Sequence, residues 1–227
     1  MRKRLRNLVF QIISGDALKE LDKLKSSSIQ MVFTSPNPPY SGKDKTELLM
    51  ALNKCKRLLT ADGVLFIQLG DYYDQNGAMF ALPESMVMLI KSSGWHFRNR
   101  LIWHRTEKYK QLDRNRFRID AEFIYMFTHD ENHYFNDRLG LQDSSIINCE
   151  MENVKPSEFK SGFPEKLIEV CLRCTTLPHD TVLDMFAGTG TTGVVALKNK
   201  RNFIGIEQSP ENKPLLENRL KKFDFMV

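Results

Sequence analysis

VLDMFAGTGTTG, residues Val182 to Gly193, joins an apolar run to a helix-forming run through Gly188-x-Gly190-x-x-Gly193. Glycines there let the backbone turn tightly and let a ligand approach the start of the next helix, where amide groups point outward. The following apolar run, NFIGIE, ends in Glu207, and an acid at that strand tip can accept the ribose hydroxyl hydrogens of an adenosine ligand. Taken alone, the glycine spacing also fits a plain tight turn or a dinucleotide site, which raises a NAD-dependent oxidoreductase as a rival. Asp184, just before the turn, would repel a pyrophosphate and suits a ligand that carries positive charge.

Only one strand and two helices follow the glycines, too little to build a nucleotide-binding sheet. The missing strands must lie at the front of the chain. There LVFQIIS (8–14), IQMVFTS (29–35) and VLFIQLG (64–70) read as strands, with helical stretches at DALKELDKLK, KTELLMALNKCKRLL and PESMVMLIKSSG. WHFRNRLIWH (95–104) and AEFIYMF (121–127) read as two more strands, and FPEKLIEVCLRC (163–174) as a helix. Strands alternating with helices predict a three-layer, doubly wound α/β domain with a mostly parallel sheet, its elements in rotated order. A single domain over 1–227 is expected, with a basic loop region at 98–118 and a polar, weakly periodic excursion from the sheet at 136–159.

The 227 residues carry a net charge of +5, which fits a polyanionic partner without requiring one. The four cysteines are scattered and the basic start lacks a cleavage pattern, so a reduced, cytoplasmic setting is expected. Cys171 and Cys174 form a Cys-x-x-Cys, but they sit on helical spacing with no second ligand pair, so ordinary helix residues are expected rather than a metal site.

TSPNPPY, Thr34–Tyr40, follows a strand at the place where open α/β sheets put their ligands. Prolines fix φ and lack N–H groups, leaving neighbouring carbonyls as acceptors for an amino group. Tyr40 adds a flat face on which a base can stack. Residues 98–118 supply Arg98, Arg100, Arg105, Lys108, Lys110, Arg114, Arg116 and Arg118 with Trp103 and Tyr109 among them, a composition suited to phosphates.

These stretches together resemble the amino-methylating DNA methyltransferases. TSPNPPY resembles their catalytic motif, LDMFAGTGTTG their cofactor loop, GDALKELDKL their adenine-contacting segment, and SGFPEKLIE the Phe-Pro helix at the methionine end of the cofactor. Catalytic motif first and cofactor loop last matches the permuted β group of the family. The sequence departs from the family in Asp184-Met185-Phe186, in Gly188-Thr189-Gly190, and in the Pro36-Asn37 inserted within the catalytic motif.

The resemblance implies S-adenosylmethionine as methyl donor, no metal, and double-stranded DNA as partner in a restriction–modification setting with a cognate endonuclease. It assigns catalysis to Ser35, Pro36, Asn37, Pro38, Pro39 and Tyr40. Cofactor binding falls to Asp16, Phe163, Asp184, Phe186, Gly188, Gly190, Thr191 and Glu207, and DNA contact to Arg105, Lys108, Lys110, Arg114, Arg116 and Arg118. Thr34-Ser35-Pro36 favours the N4 amine of cytosine as acceptor. Asn37-Pro38-Pro39-Tyr40, read as the motif, gives the alternative of adenine N6.

Overall fold

The computed structural model describes residues 8–36, 42–106, 117, 119–140, 144–150 and 163–223. Among these residues eight strands form one sheet: β1 (Phe10–Ser14), β2 (Ile29–Thr34), β3 (Leu59–Leu69), β4 (His96–Arg105), β5 (Ala121–Thr128), β6 (Ile146–Cys149), β7 (Thr181–Asp184) and β8 (Asn202–Glu207). Their order is β1-β8-β7-β2-β3-β5-β4-β6, and β5 alone runs against the others. Strands from the front and the back of the chain thus complete each other, as the late glycine loop requires.

Central strands are apolar throughout because both of their faces are covered. In β2, Met31 and Phe33 enter one core while Val32 enters the other; in β3, Val64 and Phe66 oppose Leu65 and Ile67. The first core packs under α1 (Ala17–Glu20), α2 (Gly42–Leu58) and α3 (Leu82–Ser92), through Leu52, Cys55, Met86 and Ile90. The second packs under α5 (Glu165–Thr175), α6 (Thr191–Lys198) and α7 (Asn212–Lys221), through Leu167, Leu172, Val195 and Leu220. A four-residue helix α4 (Asp137–Gly140) lies between β5 and β6.

Local differences from the sequence reading have local causes. The helix expected over 16–25 is one α turn that tightens into a 3-10 turn at Leu21–Lys23. β3 begins at Leu59 rather than Val64, yet the TADG turn signal survives inside it. Ile29 pairs with Leu59 and Met31 with Val64, so residues 60–63 bulge out of the ladder. Residues 98–105 are not loop: they belong to β4, whose Arg98 bonds Thr128 Oγ1 and the Asp130 and Glu131 carbonyls. The excursion after residue 136 is also not wholly outside the sheet, because β6 pairs in parallel with β4. That strand is short and half exposed on an edge, which is why no alternation marks it.

Gly190 caps α6 with φ +83°, and a Cβ there would meet Leu216 Cδ1 at 2.3 Å. Leu216 is fully buried, so it cannot simply swing aside. Gly190→Ala adds left-handed strain to overpacking and is expected to cost about 2 kcal/mol, lowering Tm by roughly 4–8 °C. Thermal unfolding at fixed pH checks this, and an unchanged Tm contradicts it.

Among the described residues no helix is long and apolar enough to cross a membrane.

Candidate active site

The chain order of the sheet creates a crevice between β2 and β7. After β2 the chain passes to α2 on one face, whereas after β7 it passes to α6 on the other. Loops that diverge in this way leave an opening at the carboxyl ends of the two strands. A cleft of about 1100 Å³ lies there, lined by Ser35 and Pro36 after β2 and by Asp184 to Thr189 after β7. Glu207 at the end of β8, Gly15 and Asp16 after β1, and Gln68, Gly70 and Asp71 at the end of β3 extend it. Because β5 is reversed, its first residues reach the same sheet edge and bring Glu122 into the wall.

The two motifs do more than share the opening. Thr34 Oγ1 donates to Asp184 Oδ1 at 3.1 Å, and the other Asp184 oxygen accepts from Thr192 Oγ1 at 2.7 Å. The Phe186 amide donates to Asp184 Oδ1 as well. Asp184 is thus a buried knot (4% exposed) tying the proline segment, the glycine turn and the start of α6. Burial, reinforced by the nearby Glu207 charge, pushes its carboxyl up to about 6 in spite of those three donors.

Glu207 holds the glycine turn from the other side. Its Oε2 accepts from the Gly188 amide at 2.7 Å and its Oε1 from the Ser209 amide at 2.8 Å and Asn212 Nδ2 at 3.2 Å. A carboxylate offers about four lone-pair sites, of which these donors take three, so acceptor capacity remains for a hydroxyl of a ribose diol. Arg219 supports the turn from behind, donating to Thr189 O at 2.8 Å and to Thr191 Oγ1 at 3.2 Å.

Ser35, Pro36, Asp16, Phe163, Asp184, Phe186, Gly188, Thr191 and Glu207 all line the one cleft. Gly190 does not; its missing side chain serves the contact with Leu216. Phe163 stands edge-on to Phe33 and Trp103, an aromatic wall beside Ser35. Asn37, Pro38, Pro39 and Tyr40 lie outside the described residues, as do Lys108, Lys110, Arg114, Arg116 and Arg118. Arg105, expected on DNA phosphate, meets Glu122 Oε1 at 2.9 Å and the Ile119 carbonyl. Its side chain is 16% exposed and stands behind the wall residue Glu122 rather than in the cleft lining.

Sequence reasoning passed over Gln68, Glu122 and Arg219. Gln68 carried a signal, being the one polar residue within VLFIQLG and only 5% exposed. Cys171 and Cys174 are buried thiols, with Cys171 pushed upward by burial, and no metal-holding group occurs among the described residues.

The charge of the cleft chooses between ligand classes. Its described lining includes Asp16, Asp44, Glu47, Asp71, Glu122, Asp184 and Glu207 and no lysine or arginine. Such a wall opposes a pyrophosphate and attracts a cation, so the residues fit S-adenosylmethionine and not a nicotinamide dinucleotide.

Known proteins agree with this geometry. M.Cfr9I, a type II methyltransferase of Citrobacter freundii, is 27% identical over 270 aligned residues covering 95% of this chain and 89% of its own. The cytosine-N4-specific PvuII DNA methyltransferase matches with a TM-score of 0.83 at 21% identity, covering 97% of this chain and 88% of that one. TTHA0409 of Thermus thermophilus, solved with S-adenosyl-L-methionine, matches with a TM-score of 0.78 at 23% identity over 96% and 98% of the two chains. These two structures share the fold of this chain. The N6/N4 methyltransferase family model, described as DNA methylase, matches residues 29–218, and the chain belongs to that family.

Proposed function

We propose that the protein transfers a methyl group from S-adenosylmethionine to the exocyclic N4 amine of cytosine in double-stranded DNA, within a restriction–modification system. The observation that carries the reading is the Thr34–Asp184 hydrogen bond, which holds the acceptor motif against the cofactor turn. Ser35 lies one residue beyond that bond, and Gly188 and Glu207 lie across the same cleft.

When bound, S-adenosylmethionine supplies a methyl group on a sulfonium that leaves as a neutral thioether. The chain's own residues must then deal with a poor nucleophile, since the amine lone pair is delocalised into the base. Ser35 Oγ and the Pro36 carbonyl accept the N–H hydrogens and draw the nitrogen toward tetrahedral geometry, while the cleft aligns the two reactants. The methylated nitrogen is acidic and releases its proton without a strong base. None of the four cysteines follows a proline, which speaks against attack through a ring carbon.

The base must leave the duplex to enter the cleft, with Tyr40 as its stacking partner. Lys108, Lys110, Arg114, Arg116 and Arg118 are assigned to DNA phosphate, and 136–159 to reading the target sequence. Support for that last assignment comes from position. β6 ends at Cys149, in register with Arg105 and with its carbonyl bonded by Trp103 Nε1, and the chain returns at Phe163 on the cleft wall.

Mass spectrometry of nucleosides from DNA treated with the enzyme tests the proposal. N4-methylcytosine is expected; N6-methyladenine alone would transfer the role to Asn37-Pro38-Pro39-Tyr40 and overturn the cytosine assignment. A separate titration checks the cofactor site. Glu207→Ala removes the diol acceptor and frees the Gly188 amide, so Kd for S-adenosylmethionine should rise about thirtyfold, near 2 kcal/mol. An unchanged Kd removes Glu207 from the site.

A further inference from the structure

Four side chains from four neighbouring strands form one hydrogen-bonded line along the cleft. Ser35 follows β2, Gln68 is on β3, Glu122 on β5 and Arg105 at the end of β4, which is the order of these strands in the sheet. The Ser35 hydroxyl donates to Gln68 Oε1 at 2.5 Å, and the Gln68 amide nitrogen donates to Glu122 Oε2. Arg105 Nη1 meets Glu122 Oε1 at 2.9 Å, while its Nη2 donates to the Ile119 carbonyl at 2.5 Å. Gly70 leaves the space that the carboxylate occupies, since a Cβ there would lie 3.2 Å from Glu122 Cδ.

The direction of this line follows from the groups at its far end. A guanidinium only donates and a carboxylate only accepts, so Glu122 faces Gln68 as an acceptor. Gln68 must then turn its NH2 toward Glu122 and its carbonyl oxygen toward Ser35. Ser35 in turn gives its single hydroxyl hydrogen to Gln68, which leaves the Oγ lone pairs for the cleft.

We infer that Arg105 and Glu122 are positioning residues that set the hydrogen-bond polarity of Ser35, keeping its Oγ an acceptor for the N–H of the target amine. This rests on the proposed function, in which Ser35 meets that amine. It also explains a carboxylate two strands away from the reacting group and a guanidinium three strands away, where neither need touch the substrate.

Reversal of the polarity tests the inference. In Glu122→Gln the new amide turns its oxygen to Arg105 and its NH2 to Gln68. Gln68 then flips, and its own NH2 occupies a lone pair of Ser35. In Gln68→Glu alone, two carboxylates face each other. The double variant Q68E/E122Q restores an acceptor opposite Ser35, with an amide behind it that donates forward and accepts from Arg105.

Methyl transfer to DNA and thermal unfolding are measured for the wild type and all three variants. E122Q should lower kcat about thirtyfold, with KM for DNA and Kd for S-adenosylmethionine within about twofold of wild type. Q68E/E122Q should regain at least about tenfold in kcat over E122Q, a rescue that a merely structural role does not produce. Wild-type kcat in E122Q, or a double variant no faster than E122Q, overturns the inference. A wild type that methylates no DNA would sink the proposed function instead, and unfolding then decides the polarity. Q68E alone should lose Tm that the double variant regains, and simple additivity of the two shifts counts against the line.

Discussion

Ser35→Ala is expected to lower the single-turnover rate of methyl transfer about a thousandfold while S-adenosylmethionine binding stays within about twofold. The reasoning is geometric. Ser35 sits at the tip of β2 with its hydroxyl hydrogen committed to Gln68, so what faces the cleft is an oxygen acceptor. An acceptor aimed where an amine gains positive character acts chiefly in the transition state, and loss of one preorganised partner of this kind costs about 3–4 kcal/mol. The cofactor turn touches other residues: Thr34, Thr192 and the Phe186 amide hold Asp184, and Glu207 holds Gly188. Binding and chemistry should therefore separate. Rapid-quench transfer of labelled methyl groups and calorimetric titration of the cofactor measure the two sides. Equal loss of both would mean that Ser35 supports the fold of the cleft rather than the reaction.

The second large effect concerns pH. The native Asp184 carboxyl keeps its proton up to about pH 6, chiefly because burial penalises the anion, whereas an unfolded aspartate releases it near 4. The native state therefore holds its full advantage from this group below about pH 4. That advantage is lost as pH rises through 6, amounting to about 3 kcal/mol once both states are ionised. Asp184→Asn cannot titrate. Its oxygen can still accept from the Phe186 amide, and the Thr192 hydroxyl can rotate to accept from the new NH2. The stability difference between variant and wild type, from urea midpoints, should move in the variant's favour by about 2 kcal/mol between pH 4 and pH 7. The same substitution removes an anion from a cleft meant for a cation, so cofactor affinity should fall at pH 7 while stability rises. A difference that does not change with pH would falsify this account of Asp184.

Both predictions depend on features of unequal legibility. The rotated order of the sheet could be read locally, because Gly188-x-Gly190 near the back of the chain leaves too few strands behind it. The cleft residues Ser35, Asp184 and Glu207 were legible for the same reason, each being the last or next residue of an apolar run. Gly190 was only half legible: its positive φ follows from the turn, but its contact with Leu216 depends on where α7 packs. Glu122 and Arg105 could not be paired from sequence. Their meeting requires β5 to run backwards between β3 and β4, and nothing within AEFIYMF states which way it points. β6 escaped notice because four residues at an exposed edge need no alternation.

The sheet order also imposes a schedule on synthesis. β1 is made well before β8, yet in the finished sheet the two are parallel neighbours. Until β8 is made, the first strand has an unpaired edge and the Glu207 end of the cleft is not yet built. Loop closure across most of the chain must precede any benefit from that pairing. A nascent methylase therefore cannot close its donor cleft until β8 has been made, a delay that links the pairing of β1 to its first chance to modify DNA.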